Sequence, residues 1–179
     1  MAARAQWYLV SGIIVVLAGL LGAGLAFSPD LFLVAAGSEA PDFTATRVTD
    51  GATVTLDEYR GDVLIINIWA TWCLPCEQEM PSFERLHQQL GPEGLKIVAV
   101  SVDVGDSDNV LEWVRERNIT FEVLHDPTGL IERDYQITGW PESFIVDRQG
   151  IITKKVIGAL EWDHENQIAS IRRLLSANE

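Results

Sequence analysis

Cysteine is scarce in this chain: only Cys73 and Cys76 occur in 179 residues. Two cysteines three apart supply no disulfide framework, so a hydrophobic core must hold the fold and the pair is left for chemistry. A structural zinc site takes four ligands. The chain has no second cysteine pair, and His87, His125 and His164 lack ligand-like spacing, which argues against a metal. Two inert buried thiols are the remaining plain alternative. Basic residues are scarce as well, 13 Lys and Arg against 26 Asp and Glu, for a formal charge of -13. That balance argues against nucleic acid and against docking on anionic lipid, both of which need clustered Lys and Arg. Internal repeats and low-complexity runs are absent too.

Charge is missing altogether from residues 5–29, between Arg4 and Asp30. Residues 7–27 alone give 21 apolar or small positions, against roughly 20 needed to cross a bilayer core as a helix. A cleaved signal peptide is the competing reading, but its apolar part usually covers about 7–15 residues. The run is too long for that, and no cysteine follows it to carry a lipid. With Arg4 and the terminal amine ahead of the run and Asp30 behind it, the positive-inside tendency puts residues 1–6 in the cytoplasm. The expected organisation is therefore a cytoplasmic amino terminus (1–6), a transmembrane anchor (7–27), a linker (28–37) and one domain (38–179), a size that ordinarily builds its own core.

Within 38–179, period-2 or continuous apolar runs alternate with helical patterns. The spacing predicts short strands over 53–56 and 121–124, and buried strands over Val63–Trp69 and 95–102. Helices are expected over 75–90, from a Ser107 cap to Glu116, over 127–135, and after an Asp163 cap through Ile168, Ile171, Leu174 and Leu175. Asp147-Arg148-Gln149-Gly150 is a turn signal joining 143–146 and 151–157 as a hairpin. Gly51 suggests another hairpin before the first strand. This order gives an α/β fold with a mixed central sheet and helices on both faces, parallel among the crossover-connected strands and antiparallel in the closing hairpin.

Trp72-Cys73-Leu74-Pro75-Cys76 follows a buried strand and opens a helix, the setting in which a Cys-x-x-Cys pair becomes redox-active. Free N–H groups and the dipole of a helix start favour an anion, so Cys73 is expected to attack as the thiolate. Pro75 suits a first helical turn, where its missing N–H costs nothing. Cys76, further into the helix, is placed to resolve the mixed disulfide that Cys73 forms. Glu79 lies three residues beyond Cys76 on the adjoining helix face, where a carboxylate can shuttle a proton. Spacing alone equally fits an ordinary surface acid. Asn67 on the preceding strand reads as a hydrogen-bonding core residue, and Trp69 as core.

Ala40-Pro41-Asp42-Phe43, the run from Asn67 to Cys76, Glu79-Met80-Pro81, and Gly139-Trp140-Pro141-Glu142-Ser143-Phe144-Ile145-Val146-Asp147 together resemble the TlpA/ResA/CcmG group of membrane-anchored thioredoxin-like proteins. The resemblance covers essentially everything from Gly37 onward. It implies a thioredoxin-like fold and a thiol-disulfide oxidoreductase on the outer side of the bacterial cytoplasmic membrane. By position it makes Cys73 the nucleophile, Cys76 the resolving thiol, Glu79 the acid beside the pair and Pro141 a cis-proline facing it. Pro141 by itself could equally be an ordinary strand-entry proline. Trp72 and Trp140 would line the docking surface, with Trp72 shielding the thiols or Trp140 packing as a wall as the other readings.

The expected clients are disulfides of exported proteins, apocytochrome c among them, with electrons from a membrane thiol protein and no separate cofactor. Leu74-Pro75 puts no charge between the cysteines, which tilts the pair toward reduction rather than oxidation or isomerisation. Peroxiredoxins share the Ala-Pro-Asp-Phe opening, but their Pro-x-x-x-Thr-x-x-Cys loop is not present before Cys73. A non-enzymatic scaffold is the last alternative.

Overall fold

The computed structural model describes the backbone of residues 2–26 and 33–177, and side chains within those spans except at 2–6, 9 and 24–26. Two compact units result, residues 1–33 and 34–179. The first contains helix α1, Ala2–Ala26, 25 residues long. Among the described residues no helix is long and apolar enough to cross a membrane. The uncharged run 5–29 extends past the described part of this unit, so the anchor expected there lies partly outside the described residues.

The second unit is built on seven strands: β1 (Thr44–Arg47), β2 (Thr53–Thr55), β3 (Val63–Trp69), β4 (Leu95–Ser101), β5 (Glu122–His125), β6 (Glu142–Val146) and β7 (Ile152–Ile157). They form one sheet in the order β2-β1-β5-β4-β3-β6-β7. The strands joined by helical crossovers, β3, β4 and β5, pair in parallel, as such connections require. β6 joins β3 antiparallel and β7 closes the hairpin. β1 pairs antiparallel with both β2 and β5.

All seven residues of β3 are buried, the signature of a strand covered on both sides. Each of its large apolar side chains contributes about 2 kcal/mol by leaving water. Alternation sends Asn67 and Trp69 to one face and Ile66 and Ile68 to the other. On the first face stand α2 (Leu74–Leu90), α3 (Ser107–Glu116) and the approach to α5 (Glu165–Ser176). Trp69 meets Trp113 of α3 there, and Phe83 of α2 stacks on Trp162 at 4.6 Å. On the other face Tyr135, at the end of α4 (Leu130–Asp134), packs on Phe144. This is the mixed α/β thioredoxin-like architecture expected of the domain, helices lying on both faces.

Three local expectations are corrected. The helix expected over 127–135 shrinks to Leu130–Asp134, because Asp126 holds 127–129 in a turn by accepting from the amides of Thr128 and Ile131. Asp106 rather than Ser107 caps α3, its carboxylate accepting from the Asp108 amide. His164 rather than Asp163 caps α5, because the Asp163 carboxylate is engaged by Arg85 at 2.6 Å.

Candidate active site

β3 delivers the chain to the site and α2 receives it. Cys73 is the N-cap of α2 in an extended conformation, and Pro75 sits in the first turn, where no intrahelical partner is lost. Cys73 and Cys76 are joined as a disulfide. The Cys76 amide donates to Cys73 Sγ at 3.2 Å. Cys73 is 6% exposed and Cys76 fully buried. An incoming sulfur therefore has access to Cys73 before Cys76, the order that nucleophile and resolving thiol require.

The turn before Cys73 is braced from β4. Asp103 Oδ2 accepts from the Thr71 amide at 2.9 Å and from Ser101 Oγ at 2.7 Å, and Oδ1 accepts from Thr71 Oγ1 at 2.6 Å. His125 Nε2 lies 2.7 Å from the Asp103 carbonyl oxygen. One carboxylate thus fixes the exit from β3 against the end of β4.

Glu79 is no surface acid. It is 2% exposed, on the face of α2 that turns Cys76, Met80 and Phe83 inward. Its Oε1 accepts from Asn67 Nδ2 at 2.9 Å, and its Oε2 accepts from Trp162 Nε1 at 3.0 Å and the Leu160 amide at 3.2 Å. Burial pushes its carboxyl up to about 7, against the opposing pull of those donors, Trp162 first. A carboxyl poised there takes or gives a proton at neutral pH, as a general acid or base must. The Asn67 amide also donates to Ser143 Oγ at 2.9 Å, tying β3, α2 and β6 together.

The Trp140–Pro141 peptide bond is cis. Ile68 pairs with Glu142, so Pro141 leaves the sheet beside the end of β3 from which the cysteine loop departs. Its carbonyl accepts from the Gly158 amide at 2.9 Å. Buried Glu142 holds the preceding loop by accepting from the Thr138 amide, and ion-pairs with Lys155 at 2.6 Å. The two loops meet through their indoles: Trp72 and Trp140 form a T-shaped pair with centroids 5.0 Å apart. Both remain open to solvent, at 62% and 40%. Among the described residues no cluster of three or more His, Cys, Asp or Glu is arranged to hold a metal.

Sequence reasoning thus named both cysteines, the acid, the proline and the tryptophans. It missed Trp162 and Leu160, which donate to Glu79, Ser143, which accepts from Asn67, and Asp103, which holds Thr71. Trp162 and Leu160 lie more than 80 positions beyond Glu79, so no local pattern links them.

The AhpC/TSA family model matches residues 36–155. The thiol-disulfide oxidoreductase ResA of Oceanobacillus iheyensis is 37% identical over 130 residues, covering 71% of this chain and 67% of that protein. The ResA of Geobacillus kaustophilus is 34% identical over 141 residues, 78% of this chain and 79% of that one. Among solved structures, a putative thiol:disulfide interchange protein DsbE from Chlorobium tepidum superposes with a TM-score of 0.72 at 29% identity, covering 79% of this chain and 98% of that one.

Proposed function

The chain belongs to the AhpC/TSA family as a ResA-like thiol-disulfide oxidoreductase, and from that premise we propose that it reduces disulfides of exported proteins outside the cytoplasm, in particular those of haem-attachment cysteines in apocytochrome c. The observation that carries the reading is a Cys73 that keeps 6% exposure beside a fully buried Cys76, with the Glu79 carboxyl pushed up to about 7 on the same helix. The uncharged run 5–29 supports anchoring in the bacterial cytoplasmic membrane, with the thiol-disulfide exchange on the far side.

In the reduced state the Cys73 thiolate attacks one sulfur of the client disulfide and displaces the other client sulfur as a thiolate, which takes a proton. Cys76 then loses its proton and attacks Cys73 Sγ in the mixed disulfide, releasing the second client sulfur. The client has gained two electrons and two protons, and Cys73–Cys76 has become the disulfide. Glu79 supports the reading as acceptor of the Cys76 proton, because a carboxyl pushed up to about 7 is partly ionised at neutral pH and can bind one. A membrane dithiol protein then returns two electrons to the pair.

The resolving step depends on Cys76 being held in place, whereas a free thiol must arrive by diffusion. Cys76→Ala is therefore expected to accumulate dithiothreitol-sensitive adducts with exported proteins bearing haem-attachment cysteines, while Cys73→Ala accumulates few. The wild-type pair should be found mostly reduced in cells. A pair persistently oxidised, with adducts spread over general secreted proteins, would instead establish an oxidant or isomerase.

A further inference from the structure

The exchange chemistry leaves one well-made arrangement beside the cysteines without a purpose. Gly129 caps the start of α4 with a φ of +66°, a conformation that glycine adopts at no steric cost. A Cβ at this position would stand 2.8 Å from Glu132 Oε2. Glycine therefore leaves the room into which the Glu132 side chain folds. From that position Glu132 Oε1 accepts a hydrogen bond from Trp140 Nε1 at 2.8 Å. Trp140 in turn meets Trp72 in the T-shaped pair. Trp72 directly precedes Cys73 and Trp140 directly precedes Pro141, so the carboxylate of a third element fixes the aromatic wall next to the nucleophile. Leu74, just after Cys73, is also exposed, as is Val104, next to the Asp103 that braces the cysteine turn.

We propose that Glu132 is a positioning residue for substrate choice: it locks Trp140 against Trp72, and the wall so formed selects client segments that carry a bulky apolar side chain beside the cysteine offered to Cys73. The occupant follows from continuity with the site, since whatever presents a disulfide to Cys73 must lay its flanking residues across these indoles. A large apolar neighbour removes exposed indole surface from water as it docks, whereas glycine there removes little. Without the Glu132 bond Trp140 regains its rotamers in the free protein, and docking must order it again. This inference rests on the reading of the pair as a reductant of protein disulfides.

The test uses the reduced full-length chain in detergent, with two disulfide peptides identical except for phenylalanine or glycine beside the attacked cysteine, and oxidised glutathione as a third substrate. The wild type should favour the phenylalanine peptide, chiefly in KM. Glu132→Ala should lower that preference about fivefold, the worth of one modest hydrogen bond. Glu132→Gln should restore most of it, because its amide oxygen still accepts from the indole. Trp140→Phe, which keeps a ring but has no N–H, should fall as far as Glu132→Ala, and the double variant no further. An unchanged preference in Glu132→Ala, or an equal loss on all three substrates, overturns the proposal, the second outcome marking Glu132 as merely structural. Equal wild-type rates on the two peptides overturn this inference alone, while no exchange with either overturns the reductant reading beneath it.

Discussion

Glu79 keeps its proton to about pH 7 in the folded domain because burial penalises the carboxylate, whereas in the unfolded chain it ionises near its ordinary 4.5. Between those values the native state binds more protons than the unfolded one, so this group makes the domain less stable as pH rises. Its contribution is fully present below pH 4.5 and is lost through about 7, a span worth about 3 kcal/mol at 1.36 kcal/mol per unit. Glu79→Gln cannot ionise. Relative to wild type, the oxidised variant should therefore gain about 3 kcal/mol between pH 4.5 and about pH 8, as denaturant unfolding at the two pH values would measure. A parallel course for the two proteins would mean that Glu79 ionises freely in the native state. In the reduced protein the same substitution removes a nearby negative charge and a proton acceptor. Alkylation of Cys73 should then begin at lower pH, while disulfide exchange at neutral pH slows. An unchanged alkylation profile would detach Glu79 from the thiols. The cysteines were legible in the sequence because strand, turn, proline and helix start are all local. The state of Glu79 was not: spacing left it open between surface acid and proton shuttle, and its partners Leu160 and Trp162 arrive from beyond β7.

The elements around the site are held by side chains of their neighbours as much as by their own ladders. Asp103, just after β4, takes three hydrogen bonds from Thr71 and Ser101 and so fixes the turn between β3 and α2. Asp103→Ala leaves the Thr71 amide and two hydroxyls without that acceptor, at a cost of about 2 kcal/mol. Urea unfolding should show this loss, and exchange should slow because the turn presents Cys73. Asp103→Asn keeps one acceptor oxygen and should fall between. If Asp103→Ala unfolds like wild type, water satisfies Thr71 equally well. The buried strands β3 and β4 were plain in the sequence, where long β-branched runs leave little choice. β1 was less so: Thr-Ala-Thr-Arg has a short, mostly polar pattern, and only its pairing with β5 puts it in the sheet. The cap of α5 fell one residue later than expected for a reason outside the helix. Asp163 is a better N-cap than His164 by intrinsic preference, but its carboxylate is committed to Arg85 on α2, a tertiary contact that no local rule weighs.

At the scale of the whole chain, a carboxy-terminal alkaline phosphatase fusion should be active if residues 7–27 anchor the domain on the extracytoplasmic side. An inactive phosphatase beside a fluorescent cytoplasmic reporter fusion would reverse the topology. The strand order was beyond the sequence, which implied parallel and antiparallel neighbours but not that β1 and β2 would extend the sheet beyond β5. That order has a further consequence for association. A sheet with free margins invites another chain to add a strand, and proteins guard against this with short, charged or covered borders. Here one border is β2, only three residues long. The other is β7, whose beginning is already covered by backbone bonds from Gly37 and to Ser38, and whose Lys154 and Lys155 reach Gln167 and Glu142 on opposite faces. A strand laid along β7 would have to enclose both lysines. Strand-forming segments of other chains are thereby denied the flanks of the sheet, and the domain keeps out of aggregates that grow by strand addition.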